Sequence, residues 1–260
     1  MRRIQFIELH EQTWFPAFLR NDITDTLQCA LNLSRAYASV VPLLQHALTS
    51  TGNRSIVDLC SGGGGPWEDL SGKLKGEADT FRVALTDKYP NHAAFEIARA
   101  RCEIPITFCE SSVDARNVPC ELDGFRTLFT SFHHFPPHEA SAIIQNSVDA
   151  GEGIGIFEIT SRTAPAILLI FLWALAPFFL APFVRPFRWS RLLCTYFVPI
   201  IPLVLLFDGV VSCLRTYRPG ELREVVGKLS AAGYQWQAGK CRDSRLKMPI
   251  TYLIGIPCKP

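Results

Sequence analysis

A chain of 260 residues, 48% of them hydrophobic, can bury a sizeable core and fits one elaborated domain better than two. Its 26 basic and 24 acidic residues leave a formal charge of +2, which removes the electrostatic case for a nucleic-acid partner. Nine scattered cysteines without a C-x-x-C pair imply neither a disulfide framework nor a structural zinc, and read as reduced thiols of a cytoplasmic protein.

The N-terminal MRRIQFIELHEQ turns acidic too early for a secretory signal and is too polar for a span. Apolar residues then recur at helical intervals (Leu27, Leu31, Val40, Leu44, Leu48). This spacing predicts two helices within residues 1–50, the first long one capped at Asn21 or Asp22.

Residues 55–67, SIVDLCSGGGGPW, carry the most information. A short apolar strand holds an acid, Asp58, near its end and breaks into four glycines, where the backbone can turn sharply and lie close to a ligand. Pro66 suits the opening of a helix, where its missing N–H costs nothing. Strand, glycine loop and helix together cradle nucleotide-type cofactors in open α/β sheets. The dinucleotide version of the loop does not fit. G-x-G-x-x-G read from Gly62 needs a glycine at Trp67, and read from Gly63 it needs one at Glu68. A carboxylate at Asp58 would also repel a pyrophosphate, whereas a cofactor with a cationic end tolerates it.

From there to residue 160, short β-branched or aromatic strands alternate with helical stretches, predicting a parallel sheet covered on both faces. FRVALTDK (residues 81–88) ends in Asp87, 23 positions after Gly64 and close to the roughly 20 expected of a ribose-binding acid. ITFCESSVDARNVP (residues 106–119) contains Asp114, FRTLFTSFHHF (125–135) contains Ser131, His133 and His134, and GIGIFEIT (153–160) reads as a fifth strand. Helices are expected over residues 90–102, 138–150 and 218–234, and final strands near 235–239 and 251–256.

With these motifs in order, the chain resembles the class I S-adenosylmethionine-dependent methyltransferases across residues 50–160 and 218–260. Their first motif, acid-x-Gly-x-Gly-x-Gly, is matched by Asp58, Gly62 and Gly64, with Cys60 where the first glycine usually stands. The resemblance implies a Rossmann-like, seven-stranded, mostly parallel α/β fold that binds S-adenosylmethionine. It places Asp58, Cys60, Gly62 and Gly64 at the methionine end, Asp87 on the ribose, Asp114 near adenine and Ser131 in the pocket. N-terminal helices in this family often lie over the cofactor and substrate, which makes residues 1–50 a cap and Trp14, Phe15 and Arg20 the candidates to reach the site. An equally available reading is a helix pair that only packs.

His133 and His134, just past the fourth strand, are candidate bases because imidazole titrates near neutrality; alternatively they line the pocket or pack locally. With His138 they lack a nearby carboxylate or cysteine to complete a ligand set, so no metal is expected.

Residues 161–217 form an apolar insertion. Residues 164–184 carry no charge; as a helix they would reach about 31 Å. RPFRWSR (185–191) follows with three arginines, then sixteen mostly apolar residues (192–207), and both arms contain prolines. The preferred reading is a hairpin lying in one leaflet on the cytoplasmic side, with Arg185, Arg188 and Arg191 near lipid phosphates. A spanning hairpin, a soluble lid and a homodimer contact are the alternatives. Asp208 and Arg215, at the polar return, either face the pocket or form an ion pair.

The resulting expectation is methyl transfer to a small or apolar acceptor at a membrane surface. The competing readings are a non-catalytic membrane-attached scaffold and a nicotinamide-dependent oxidoreductase.

Overall fold

The computed structural model describes residues 1–74, 81–242 and 249–258. Seven strands form one sheet: β1 (Ser55–Leu59), β2 (Arg82–Leu85), β3 (Ile106–Phe108), β4 (Phe125–Phe129), β5 (Ile154–Glu158), β6 (Tyr234–Arg242) and β7 (Pro249–Pro257). Their order is β3-β2-β1-β4-β5-β7-β6. All pairings among β1–β5 are parallel, and β7 enters antiparallel to β5 and β6. The order reverses between β1 and β4, so the loops after these strands open a crevice at their carboxyl ends, the switch point where open α/β sheets bind ligands.

Helices cover both faces, as buried parallel strands require. On one side, α2 (Val41–Thr51), α3 (Trp67–Leu74) and α4 (His92–Arg101) pack Leu44, Leu48, Trp67, Leu70 and Phe95 against Ile56 and Val83. On the other, α5 (Pro137–Asp149) and α10 (Pro219–Val226) bring Ile143, Ile144 and Leu222 onto Val57, Leu59 and Leu128. Helix α10 is shorter than its sequence pattern. It stops at Gly227, and Gly233, at φ +87°, serves the turn into β6.

The first long helix, α1 (Ala17–Ser34), begins behind Pro16 and not at Asn21 or Asp22. Asp22 lies inside the helix and is buried. What holds it is the insertion, which folds as α6 (Ala164–Trp173), α7 (Ala176–Leu180), α8 (Trp189–Leu192), a wide turn at Leu193–Phe197, and α9 (Ile200–Arg215). Arg191 is fully buried and donates to Asp25 at 2.8 Å, with Asp22 at 3.4 Å. Arg188 lies 3.6 Å from both carboxylates. The expectation that these arginines face lipid phosphates is therefore corrected for two of the three: they clamp α1, because two buried acids there need cationic partners. The long arms are also interrupted, at Ala174 and after Leu180 in the first and at Pro199 in the second. Among the described residues no single helix is long and apolar enough to cross a membrane; the pair Trp189–Phe197 and Ile200–Arg215 passes together but bends by 80°.

Candidate functional site

The loop after β1 is built from its own side chains. Ser61 Oγ donates to the Asp58 carboxylate at 2.8 Å, and Thr127 Oγ1 on β4 donates to its other oxygen at 2.6 Å. The amides of Gly64 and Gly65 close back on the Ser61 carbonyl. Gly65, at φ +65°, has no room for a Cβ, which would fall 2.6 Å from Asp58 Oδ2. At Gly63 a Cβ would meet Gln28 and the Thr24 carbonyl within 3 Å, so glycine is what lets α1 approach the loop. Asp58 is thus buried behind the loop and holds its shape; it does not line the cleft. Burial raises it to about 6, against the hydrogen bonds that pull it down.

Asp87, at the end of β2, accepts from the amides of Gly62 and Tyr89, both at 2.8 Å, so the second-strand acid and the glycine loop are tied together. Burial pushes its carboxyl above the ordinary range. Cys60, Gly62, Asp87, Ser131, His134 and Arg20 all line one cleft of about 380 Å³ between the loop and α1. Ser131 Oγ is buried there without a hydrogen-bond partner, a polar atom suited to a ligand. Arg20 reaches the cleft edge over the Tyr89 ring and donates to the carbonyls of His10 and Gln12.

Other expected residues fall elsewhere. Gly64 shapes the turn without forming the cleft wall. Asp114 pairs with Arg116 at 2.5 Å and is not part of the wall. Trp14 is 66% exposed, and Phe15 packs with Leu19, Ile23, Ile201 and Val204. Neither reaches the site. The N-terminal residues that do are polar: Glu8, His10 and Glu11, in a strap tied down by Leu9 N on Asp208 (2.7 Å) and Arg3 on the Phe135 carbonyl (3.0 Å). Sequence reasoning favoured the aromatic residues of this segment, and the acidic and imidazole residues in ELHEQ were the unused signal.

A second cavity, about 160 Å³ and mostly apolar, lies between α1, α6 and α9, walled by Ile23, Leu169, Ile170, Trp173 and Leu205. It shares His10, Thr24, Leu27, Leu31, Thr130 and His134 with the cleft, so the two adjoin across a common wall. His133 borders only the apolar cavity and is fully buried. Its Nδ1 meets Glu158 at 2.7 Å and its Nε2 lies 3.5 Å from Glu8. Burial alone would lower its pKa, but the carboxylates of Glu158 and Glu8 raise it to about 10, which favours the imidazolium at neutral pH. His134 stands at the junction, with Nδ1 against Glu11. Arg215 is buried beside these histidines and donates to the His133 carbonyl at 3.1 Å, and Asp208 is buried beside His10.

No protein-family model and no curated sequence matches the chain. Solved structures share its fold. Human N-acetylserotonin methyltransferase in complex with S-adenosylmethionine is similar at 15% identity and a TM-score of 0.55, over 98% of this chain and 61% of that one. The plantazolicin methyltransferase BamL, in complex with a substrate analog and S-adenosylhomocysteine, is similar at 12% identity and 0.54, over 93% and 98%. An O-methyltransferase family protein from Burkholderia thailandensis gives 17% identity and 0.49, over 89% and 60%. The chain thus spans about three fifths of the human and Burkholderia proteins. Strand order and crevice define an open, doubly covered α/β fold with a ligand site at its switch point. More particularly, it is the fold of the class I S-adenosylmethionine-dependent methyltransferases.

Proposed function

We propose that the protein transfers a methyl group from S-adenosylmethionine to a small or elongated apolar acceptor at a membrane surface. The observation that carries this reading is the adjacency of the two cavities, a cleft of mixed polarity on the glycine loop sharing a wall with a mostly apolar chamber. The cofactor assignment draws on the ordered motifs, on the fit of Asp87 and Ser131 to a polar ligand, and on neighbours bound to S-adenosylmethionine or its product. In that cleft Asp87 would hold the ribose hydroxyls and the Gly62 region the methionine end. The cofactor supplies an electrophilic methyl on a sulfonium sulfur; the chain supplies position and a dry wall for the acceptor. Where the acceptor must lose a proton, His134, oriented by Glu11, is the residue placed to receive it.

The membrane part rests on exposed apolar side chains concentrated in the insertion, among them Phe171, Leu172, Phe179, Phe183, Trp189 and Phe197. Such a patch exceeds what scattered surface residues account for. Its root lies at the apolar chamber, so a lipid-like acceptor could pass from a bilayer to the cleft.

Calorimetry with S-adenosylhomocysteine tests the cofactor. Binding is expected, and Asp87→Ala should weaken it about 10–100-fold, the value of hydrogen bonds to a charged group. Binding of NAD(P)H in its place would reverse the assignment. Incubation with labelled cofactor and fractionated cell extract tests the acceptor: label is expected in apolar small molecules, and cofactor binding without any turnover would favour the scaffold.

A further inference from the structure

Two segments far apart in the chain bring Glu8, His10 and His134 together, each residue offering one ligand atom within 4.8 Å of the others. Glu8 is fully buried. Its Oε1 is engaged by Ser212 Oγ at 3.0 Å and by Arg215 at 3.3 Å. Its Oε2 accepts no hydrogen bond and lies 3.4 Å from His134 Nδ1 and 3.9 Å from His10 Nδ1. Glu11 repeats the pattern, with Oε2 on Arg215 at 3.0 Å and Oε1 turned to His134 without hydrogen-bond geometry. Arg215 therefore pins one oxygen of each carboxylate and leaves the other facing the imidazoles. Asp208 accepts from the amides of Leu9 and His10, and its Oδ2 meets His10 Nδ1 at 2.7 Å, so Nε2 is the nitrogen that this ring would offer to an ion. A carboxylate that orients an imidazole while its other nitrogen stays available is the usual outer support of a metal-binding histidine.

We propose that Glu8, His10 and His134 bind a divalent transition-metal ion at the junction of the two cavities. Two imidazoles and a carboxylate suit zinc, or manganese and iron of the same charge; an all-oxygen set would suit magnesium or calcium, and thiolates are absent from the cluster. Three protein ligands leave a coordination position open, the pattern of catalytic sites as opposed to closed structural ones. The H-H-x-x-x-H run of the sequence holds only one member of this set, His134. His138 points away, with its side chain 81% exposed.

The consequence for chemistry rests on the methyltransferase reading. An acceptor hydroxyl or thiol taking the open position gives its proton to solvent, its anion bonds to the methyl carbon, and the carbon–sulfur bond breaks with its electron pair left on sulfur. His134 is then a ligand, and the ion takes over the activation of the acceptor.

The test uses the full-length protein, stripped with a chelator and titrated with Zn²⁺ in a calorimeter. One ion per chain is expected, as is a nitrogen-ligated absorption spectrum with Co²⁺. Asp208→Asn should weaken Zn²⁺ about 10–100-fold, His10→Gln at least as much, and His138→Ala not at all. Circular dichroism and thermal unfolding establish that each variant is folded. No stoichiometric Zn²⁺ uptake, a Co²⁺ spectrum of an all-oxygen site, or parent-like affinity in His10→Gln each overturns the proposal. A protein that binds S-adenosylhomocysteine but no Zn²⁺ loses the metal alone. One that binds Zn²⁺ but no S-adenosylhomocysteine loses the methyltransferase reading alone.

Discussion

Cys60 adopts φ +58° at the position where the resembling family carries its first glycine. A side chain in the left-handed region costs about 1–2 kcal/mol, so the residue that departs from the motif is held in the conformation the motif was built for. Cys60→Gly should be more stable than Cys60→Ala by about 1 kcal/mol in urea unfolding, since only the first removes the Cβ. Equal midpoints would mean that the loop is not left-handed there. Asp58 gives a pH test. Its carboxyl, ordinarily near 3.8, is raised to about 6 by burial. The folded state therefore holds this proton more tightly than the unfolded chain. The resulting stabilisation is complete below pH 4 and is lost as pH rises through 6, a difference of about 3 kcal/mol. Asp58→Asn should exceed the parent in stability at pH 7, with the gap closing towards pH 4. A gap that does not change with pH would refute the assignment.

At the scale of elements, α1 and the insertion are joined by a buried ion cluster. Arg191 donates to Asp25, lies 3.4 Å from Asp22 and also donates to the carbonyls of Val184 and Pro186, so one guanidinium fixes α8, the preceding turn and α1. Removing one partner of a buried pair leaves an uncompensated charge, which costs about 3–5 kcal/mol. Arg191→Ala is expected to lose that amount in chemical denaturation, with early proteolytic cleavage inside residues 164–207. Loss of under 1 kcal/mol would show that the cluster is solvated and the insertion held by apolar packing alone. Because α1 and the insertion wall the apolar chamber together, the same variant should impair acceptor binding more than cofactor binding.

For the whole molecule, the proposed membrane contact falls to the outer face of the insertion. Phe179 and Phe197 are 73% and 80% exposed, and returning such side chains from water to an apolar phase gains about 25 cal/mol per Å². The full chain should sediment with neutral lipid vesicles, and a Phe179→Ser, Phe197→Ser double substitution should lower the bound fraction several-fold while leaving S-adenosylhomocysteine affinity intact. A concentration-dependent dimer that ignores vesicles would instead make this face a contact between two copies.

The sheet, the glycine loop and Asp87 were legible in the sequence because each is a local pattern: a short apolar run, a turn that only glycine allows, and an acid at a fixed interval. The apolar insertion was equally plain as composition. Its course was not. Proline positions announced breaks, but the pairing of Arg188 and Arg191 with Asp22 and Asp25 spans more than 160 residues and leaves no local periodicity. The same holds for the polar cluster. His133 and His134 stood out by position, yet the raised pKa of His133 depends on Glu158 and Glu8 arriving from other elements. Trp14 and Phe15 drew notice as aromatics, whereas the strap's Glu8, His10 and Glu11 meet the site only once Asp208 and Arg215 of α9 anchor them. Backbone geometry and burial follow from neighbours in sequence, and so the sequence determined the scaffold and its loop. Charge compensation in a low-dielectric interior acts between residues the chain must first bring together, and that only the tertiary structure decided.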